Sequence, residues 1–375
     1  MRKISADYIF PITQPSIKDG IVLVDNDGTI IDLLNPAELD YSVEDVEKYK
    51  GIICPGFINT HCHLELSYLK GKIPPQTGLL DFVLKVDEIN KTKPEDSTVI
   101  QAIEDAESEM IKNGIVAVGD ISNTNISFAV KNKSKLKYHT FIEVYASNPK
   151  KADAVFEQAL DLYHQIGNKN NASIVPHAPY SLSNDLFTKV AEFNHDKDDI
   201  LTIHHKESDK EQMFPFNKSG KNQLSSISKY LPVNNHLQLV HNTFATKNDV
   251  DFAEEYFRNL WWCFCPNANL YIENRLPDFN LFTQKDARIT IGTDSLASNH
   301  GLSIIDELKI VSEHLPDISL NELLKWGTLN GAEFLKIQGS YGSLEKGKQP
   351  GINLIEFIDT TALKLTPKSK IRVLL

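Results

Sequence analysis

Two histidines separated by one residue, His61 and His63, end a short apolar run that begins at Phe57. Side chains on an extended chain alternate between two faces, so both imidazoles point to one side and Cys62 points to the other. Two imidazoles side by side at the end of a strand provide half of a site for a first-row metal. Alone, the pair is equally compatible with two incidental strand histidines, so the rest of the sequence must decide.

Three later apolar runs also end in residues that bind metals or transfer protons. They are 200–204, 237–241 and 289–294. Parallel strands closed into a barrel bring their carboxyl ends to one face, where the active sites of such barrels lie. Three imidazole nitrogens and one carboxylate would then converge, a donor set that suits zinc and leaves room for a water. The four residues are His61, His63, His204 and Asp294.

Further catalytic roles are indicated by position along these runs. Glu207 follows His204 by three residues, where a carboxyl could pass a proton between the attacking water and the substrate. Without that histidine before it, Glu207 would be interpreted as a solvated loop residue beside Lys206. His241 is a further ligand, a hydrogen-bond donor to the oxygen that gains charge, or a satisfied core histidine. Asp294 could both bind the metal and accept the proton of the water.

Substrate contacts are expected from side chains near the ends of other strands. His177 ends the fourth predicted strand and is the best candidate for a hydrogen bond to substrate. Glu65, Ser67 and Glu143 lie where their side chains could meet substrate, although each is about equally compatible with a structural role. His205 points away from the ligand face, so we expect it to pack between the strands and a helix.

Eight short β-rich runs alternate with helical patterns between residues 53 and 339, which predicts a (β/α)8 TIM barrel of parallel strands. After the run before His61, strands are predicted at 115–120, 139–144, 172–177, 200–205, 237–241, 261–265 and 289–294. Helices are predicted at 98–112, 152–166, 184–194 and 247–258. The polar stretch 206–225 contains Pro and Gly and predicts a mobile loop beside the site.

The two chain ends are expected to form a second, small domain. Residues 21–31 have the pattern of a β-hairpin, with Gly28 available for a positive φ. Residues 1–52 are too few to bury a core alone, and strand-like runs near the carboxyl end offer a partner. The sequence therefore predicts a composite β-sandwich of 1–52 and 340–375, with the barrel of 53–339 inserted between them.

Composition restricts the classes of partner. A chain of 375 residues fits a barrel with a small added domain. Its net charge of −11 argues against nucleic acid and anionic membrane as partners. We find no apolar run long enough for a membrane helix, no signal peptide and no disulfide framework among the four cysteines, so we expect a reduced, cytoplasmic protein. Its partner is a small-molecule substrate, and a homodimer is compatible with the sequence.

These residues together resemble the amidohydrolase superfamily, and within it the cytosine-deaminase-like branch of aminohydrolases and chlorohydrolases. The matching segments are 55–63, His204 with Glu207, His241 and 292–295. The resemblance implies one divalent metal, zinc or iron, on the four ligand residues, with Glu207 as proton shuttle and His241 at the oxyanion position. No lysine ends the fourth strand, which disfavours the binuclear arrangement of the branches that use a carbamylated lysine. Residues 63–67 resemble deaminases of aminodeoxyfutalosine and of adenosine-like nucleosides.

The activity predicted from these features is hydrolytic deamination of a cyclic amidine, an aminopurine or a nucleoside-like molecule. One alternative uses the same site on another bond, such as an exocyclic amide or a carbon–chlorine bond. An alternative of another class is a non-catalytic metal barrel that binds a ligand, although such a protein has no use for a proton shuttle at Glu207. Phosphoester hydrolysis is disfavoured because phosphate-binding arginines and a second metal cage are not evident.

Overall fold

The computed structural model describes residues 1–40, 42–92, 94–167, 171–195, 197–213 and 223–375, which contain 17 strands and 12 α-helices. The strands are β1 (Arg2–Ser5), β2 (Tyr8–Ile9), β3 (Ile17–Lys18), β4 (Ile21–Val24), β5 (Ile30–Leu34), β6 (Glu47–Lys48), β7 (Ile52–Pro55), β8 (Phe57–Cys62), β9 (Ile115–Ser122), β10 (Lys137–Val144), β11 (Ala172–Pro176), β12 (Ile200–His205), β13 (His236–His241), β14 (Leu260–Phe264), β15 (Ile289–Ile291), β16 (Ile352–Glu356) and β17 (Lys370–Val373). The helices are α1 (Leu79–Lys91), α2 (Asp96–Lys112), α3 (Phe128–Lys133), α4 (Ala152–Gln165), α5 (Asn184–Asn194), α6 (Gln223–Ile227), α7 (Lys247–Tyr256), α8 (Pro266–Glu273), α9 (Asn280–Thr283), α10 (Ile304–His314), α11 (Leu320–Trp326) and α12 (Leu329–Phe334).

The chain divides into two compact units. The first contains Met1–Asn59, Ser108–Ala117 and Ser303–Leu375, and the second contains Thr60–Glu107 and Val118–Leu302. Both chain ends belong to the first unit. The predicted domain boundaries at residues 53 and 339 differ from this division and stay a prediction.

Two mixed sheets build the β-rich part of the first unit. Their strand orders are β5-β4-β1-β6 and β17-β16-β7-β2-β3. Strands β4 and β5 are antiparallel, as the hairpin pattern predicts. Gly28 in the connecting turn has a φ of 88°, a conformation that glycine adopts without steric cost, and its N–H donates to the carbonyl of Asp25.

The two chain ends share one of these sheets. Strand β16 lies between β17 and β7, with antiparallel pairing on both sides, and β7 pairs in parallel with β2. Buried apolar side chains from both sheets form one cluster, which includes Ile4, Val22, Ile53 and Leu354. The amino-terminal and carboxy-terminal segments therefore contribute to a common hydrophobic core.

The second unit is built around two four-stranded sheets with the orders β11-β10-β9-β8 and β12-β13-β14-β15. Strand β10 is parallel to β11, and β12 to β15 are parallel to their neighbours. The strands are buried along almost their whole length, which explains their continuous apolar runs. Helix α4 packs against β10 and β11, and α5 packs against β11. This alternation of parallel strands and covering helices confirms the predicted α/β class.

Predicted and observed elements agree closely, with one informative exception. The helices predicted at 98–112, 152–166, 184–194 and 247–258 correspond to α2, α4, α5 and α7. The predicted strand 289–294 is wrong in its second half, because β15 ends at Ile291. Asp294 has a φ of 57°, which is incompatible with a strand, and Gly292 approaches His61 so closely that a Cβ would lie 2.7 Å from the Cβ of His61.

Only part of the predicted loop 206–225 can be compared with the structure. A short 3-10 helix covers Asp209–Met213, and α6 begins at Gln223. Residues 214–222 lie outside the described residues. All four cysteines are buried, and none of them forms a disulfide. Among the helices that the structure describes, none combines the length and the apolar character needed to cross a membrane.

Candidate metal centre and active site

The His61 and His63 imidazoles lie on the same side of the chain, in agreement with the alternation predicted for an extended segment. Their Nε2 atoms are 3.2 Å apart, and the ring planes cross at 81°. Both side chains are buried. The Nδ1 atom of His61 is buried and has no hydrogen-bond partner among the described residues. No hydrogen bond at Nδ1 therefore fixes the tautomer of this ring.

His204 extends from β12 toward this pair. Its ring centroid lies 4.9 Å from that of His61. Its Nδ1 is 2.8 Å from the carbonyl oxygen of His177, so Nδ1 carries the proton and donates it to that oxygen. This bond fixes the tautomer and leaves Nε2 available as a ligand, the arrangement typical of histidines that bind metals.

Asp294 reaches the histidines from a turn rather than from a strand. The backbone N–H groups of Thr293 and Asp294 both donate to the carbonyl of His61, which fixes the turn against the end of β8. The Asp294 Oδ1 atom lies 3.4 Å from His63 Nε2 and 3.7 Å from His61 Nε2. Its Oδ2 atom accepts a hydrogen bond of 2.6 Å from the hydroxyl of Ser298. One carboxylate oxygen therefore faces the histidines while the other is bonded behind.

His241 is held at the same place by an unusual backbone. It has a φ of 72° and Asn242 has a φ of 58°. Its Nδ1 lies 3.0 Å from Oδ1 of Asn269, whose Nδ2 donates to the His241 carbonyl, so Nδ1 is the protonated nitrogen. The unprotonated Nε2 lies 3.7 Å from Oε1 of Glu207. In this tautomer, Nε2 is an acceptor that faces the site.

Glu207 is a buried carboxyl beside this group. Burial, together with the neighbouring Asp294 carboxylate, raises the pKa of Glu207 well above its usual range. Its backbone N–H donates to Oε1 of Glu211 at 2.6 Å, a bond that holds the loop in place. Burial therefore favours the protonated form of Glu207, whose carboxyl faces His241.

The electrostatics of the histidines suit metal binding. Burial lowers the pKa of His63 and of His204 to about 3, with further lowering from neighbouring imidazoles. Burial and the imidazole of His204 lower the pKa of His61 well below its usual value. Neutral imidazoles have free lone pairs, so at neutral pH these side chains are in the form that binds a metal.

The donor atoms fit a divalent metal. Potential ligand atoms of His61, His63 and His204 lie within 4.8 Å of one another, and so do those of His61, His241 and Asp294. Two nitrogens bound to one tetrahedral zinc at about 2.0–2.1 Å would be about 3.3 Å apart. The separation of 3.2 Å between the Nε2 atoms of His61 and His63 agrees with that value. In a third group, potential ligand atoms of Glu143, His177 and His204 also lie within 4.8 Å of one another.

A cavity of about 680 Å³ adjoins the candidate ligands. Glu207, His241 and Asp294 contribute to its lining together with His63 and His204. Helix α1 contributes an apolar wall at positions spaced as one helix face, namely Leu79, Leu80, Phe82, Val83 and Val86. The helix is fixed at its amino end, where the N–H of Leu79 donates to Oε1 of Glu273.

The model of the amidohydrolase family matches residues 52–374, which is most of the chain. The chain belongs to the amidohydrolase family. Its sequence is 26% identical to an adenosine deaminase of Helicobacter pylori in an alignment of 333 residues. The alignment covers 82% of this chain and 79% of that protein.

Two solved structures resemble this amidohydrolase along nearly its whole length. Aminofutalosine deaminase of Helicobacter pylori in complex with methylthio-coformycin has a TM-score of 0.78 at 23% identity, covering 98% of this chain and 94% of that one. Atrazine chlorohydrolase of Arthrobacter aurescens complexed with zinc has a TM-score of 0.79 at 17% identity, covering 97% and 90%. At these identities the resemblance establishes the fold, a TIM-barrel-type α/β architecture.

The candidate substrate contacts of this amidohydrolase are not equivalent. His177 and Glu143 line the cavity, and Nδ1 of His177 bonds to the hydroxyl of Ser181 at 2.9 Å. Glu65 also lines it, but both of its carboxylate oxygens accept hydrogen bonds from residues 123 and 124. The structure does not bring Ser67 to the cavity wall; its hydroxyl is buried and, within the part of the chain described, has no hydrogen-bond partner.

His205 packs away from the ligand face of the amidohydrolase, as the strand alternation predicts. It is fully buried, its ring lies 6.3 Å from that of Trp262, and its Nδ1 bonds to Oδ1 of Asn242 at 2.9 Å. This contact joins the ends of β12 and β13 behind the site.

Sequence reasoning missed residues that hold the amidohydrolase site from behind. Ser298 orients Asp294, Asn269 fixes the tautomer of His241, and Glu211 holds the backbone of Glu207. Ser298 follows Asp294 by four residues and Glu211 follows Glu207 by four, and this short spacing is a local signal that could have indicated both contacts.

Proposed function

We propose that this protein deaminates an adenine-type nucleoside by metal-dependent hydrolysis. The observation that carries the proposal is the buried carboxyl of Glu207, which lines one cavity together with His63, His204, His241 and Asp294 and whose raised pKa favours its protonated form. Such a carboxyl supplies a proton, and a ring nitrogen of an aminopurine requires one during hydrolysis. The deaminase activities named for its relatives agree with this substrate class.

The proposed scaffold is a closed eight-stranded barrel, with a composite β-sandwich formed by residues 1–52 and 340–375. Two bridges between the four-stranded sheets support closure. The N–H of His204 donates to the carbonyl of His177, and Cys62 forms a parallel bridge with Asp294. The core shared by the two terminal sheets supports the sandwich.

The proposed cofactor is one divalent metal, zinc in preference to iron. The residues that would hold it are His61, His63, His204 and Asp294. Nitrogen-rich, four-coordinate donor sets with neutral imidazoles favour zinc. When bound, such a metal lowers the pKa of a water and so supplies the nucleophile at neutral pH.

The proton transfers are assigned to side chains of the protein. Glu207 donates its proton to the ring nitrogen while the oxygen of water adds to the amino-bearing carbon. Asp294 takes a proton from that water and returns it to the amino group, which leaves as ammonia. Glu207 recovers a proton from the new hydroxyl as the carbonyl forms. His241 accepts a hydrogen bond at Nε2 from the attacking water and so orients it.

The remainder of the substrate is assigned to the wall formed by α1. Leu80 and Val83 line the cavity and remain 43% and 41% exposed, so they offer uncovered apolar surface to a ligand. A nucleoside with an uncharged substituent on its sugar would cover this surface, which stabilises the complex by apolar burial. His177 and Glu143 are proposed to bond to the polar part of the substrate.

A second candidate reaction is hydrolysis of a carbon–chlorine bond. The resemblance of the fold to an atrazine chlorohydrolase keeps this candidate open. Displacement of chloride needs no proton on the leaving group, whereas loss of ammonia does. The relatives matched by sequence are named as deaminases, which favours deamination.

For its setting we propose a cytoplasmic enzyme that acts on small molecules without nucleic acid or membrane, as a homodimer or as a monomer. The net charge of −11 supports the exclusion of polyanionic partners.

Ammonia release from a panel of compounds, before and after removal of metal by a chelator, tests the proposed function. The panel holds adenosine, 5′-deoxyadenosine, 5′-methylthioadenosine, a pterin and a chlorotriazine. We expect ammonia from at least one adenine nucleoside, loss of activity on chelation and recovery with zinc. Chloride release without ammonia would establish the second candidate, and no turnover of any compound by the zinc-loaded protein would reject the enzyme.

A further inference from the structure

Two carboxylates bond the turn that follows the His61–His63 pair to the end of the neighbouring strand. Asp120 in β9 accepts a hydrogen bond of 2.8 Å from the backbone N–H of Leu64. Glu65 accepts bonds of 2.9 and 3.1 Å from the backbone N–H groups of residues 123 and 124. Each segment therefore supplies an acceptor for amides of the other, and the three bonds hold the two segments together.

A buried cation accompanies the first of these carboxylates. The ammonium of Lys131 contacts Oδ2 of Asp120 and also donates to the hydroxyls of Ser122 at 2.9 Å and Thr140 at 3.3 Å. The Asp120 and Lys131 side chains are 0% and 5% exposed. A buried carboxylate without a counter-ion is unfavourable by several kcal/mol, so Lys131 allows Asp120 to stay ionised beside the turn.

The bond to Leu64 acts on the backbone of a ligand histidine. His63 has a φ of −126° and a ψ of 79°. Parallel strands have ψ near 115°, so the chain turns away from the strand at His63. The ψ angle of His63 sets the position of the Leu64 amide, and Asp120 holds that amide. Asp120 therefore anchors the chain at the peptide group directly after the Cα that carries the His63 imidazole.

We propose that Asp120 and Glu65 are positioning residues for His63, with Lys131 as their buried counter-ion, and that together they set the affinity for the metal. The inference rests on the metal binding proposed above. It gives Glu65 a role different from the predicted substrate contact, since its oxygens are occupied by the amides of the neighbouring segment.

The test measures the zinc dissociation constant by competition with a chelator, and the urea unfolding of the metal-free protein. The double variant D120L/K131M removes the acceptor for Leu64 together with the charge pair. We expect zinc binding about 10–100-fold weaker, the range seen when residues behind metal ligands are lost. We expect some loss of stability, because the buried Leu64 amide loses its acceptor, although apolar replacement of the ion pair itself is often neutral. D120N/K131M keeps an oxygen acceptor for Leu64, and we expect its zinc affinity to return to within a few-fold of wild type.

A matched control removes two buried side-chain bonds at the opposite end of a strand. Asn235, immediately before β13, donates to the carbonyls of Lys197 and Asp199 at 3.0 Å each. N235A should lower stability while leaving zinc affinity unchanged. Zinc affinity equal to wild type in D120L/K131M would overturn the proposal, and so would an equal loss of affinity in N235A.

The variant E65Q keeps the test decisive if D120L/K131M does not fold. Its side-chain NH2 cannot accept from an amide, so we expect about tenfold weaker zinc binding. Wild-type affinity in E65Q would then overturn the proposal. The measurement of zinc affinity needs no substrate. Wild-type protein that binds zinc but deaminates nothing would reject the proposed function and leave the positioning proposal standing. Wild-type protein without zinc affinity would overturn the positioning proposal as well.

Discussion

At the scale of single residues, the chemistry depends on two kinds of group kept neutral by burial. The imidazoles of His63 and His204 are neutral because desolvation lowers their pKa to about 3. Desolvation raises the pKa of Glu207 and so favours its neutral carboxyl. The same dry environment therefore prepares bases that bind a metal and an acid that donates a proton.

Replacing the acid should separate binding from turnover. In Glu207→Gln we expect zinc content and thermal stability near wild type, because the amide has the same size and no charge. The rate of ammonia release should fall by about 10²–10⁴-fold, the range for loss of a general acid. Initial rates and metal analysis on the same preparation provide the measurement.

The control for that variant is the same substitution at an exposed position, Glu192→Gln on α5, which should leave the rate unchanged. A Glu207→Gln protein with more than a tenth of wild-type turnover would contradict the assigned role.

A second expectation concerns pH and His205. Burial lowers the pKa of His205 to about 4, from 6.5 for the exposed side chain. Folding therefore favours the neutral ring, and its contribution to stability is complete above pH 6.5 and lost as the pH falls toward 4. Between pH 7 and 5 the loss is about 2 kcal/mol, since one pKa unit corresponds to about 1.4 kcal/mol.

His205→Asn removes this titration. The difference in unfolding free energy between metal-free wild type and the variant should shrink by about 2 kcal/mol between pH 7 and pH 5, as measured by urea unfolding. A difference that stays constant over this interval would contradict a buried, neutral His205.

Residue types and spacing were enough to propose the group of four ligands, because strand alternation is local and each ligand follows an apolar run. The groups that hold these ligands could not be found in the same way. Asp120 and Asn269 act through hydrogen bonds whose partners are set by strand order and register, which no local pattern encodes.

At the scale of elements, α1 determines what the cavity accepts beyond the reacting ring. Some of its exposed apolar residues line the cavity and others do not. Val83 lines the cavity, whereas Leu84, 56% exposed, is not among the described cavity-lining residues. The neighbouring positions thus offer a matched pair for testing the wall.

Val83→Asp should raise KM for 5′-methylthioadenosine and lower kcat/KM about tenfold or more, because one apolar contact in a pocket contributes about 1–3 kcal/mol. Leu84→Asp should leave both constants near wild type. Steady-state kinetics on the two variants provide the measurement. Equal effects of the two substitutions would show that α1 does not contact the substrate.

The elements themselves were largely predictable, and the places where they end were less so. The apolar runs of β12 and β13 and the amphipathic patterns of α4 and α5 are visible in the local sequence. The predicted bounds of these four elements therefore agree with the observed bounds within two residues. Strand β15 stops early because Asp294 adopts a positive φ and Gly292 packs on His61. Both causes are contacts with a segment more than 200 residues away, which the sequence of β15 does not report.

At the scale of the whole molecule, the chain ends depend on each other. Strand β16 supplies Ile352, Leu354 and Ile355, all at most 1% exposed, to the unit that also contains the first residues of the chain. Strand β17 is mostly exposed, and its neighbour Leu374 accepts a hydrogen bond from Arg2. The two carboxy-terminal strands should therefore differ in importance.

Truncation can measure that difference. A chain ending at Gln349 loses β16 and several fully buried side chains at about 2–5 kcal/mol each, which exceeds the usual stability of a domain. We expect it to be insoluble or unfolded. A chain ending at Ser369 should fold with a lowered Tm, as followed by circular dichroism. Full stability of the shorter chain would contradict a core shared by both ends.

The central claim is that His61, His63, His204 and Asp294 hold one divalent ion. Anomalous diffraction at the zinc edge, from crystals of zinc-loaded protein, tests it most directly. We expect a single strong peak among these four side chains. A peak at the group of Glu143, His177 and His204 instead, or no peak at either place, would contradict the account.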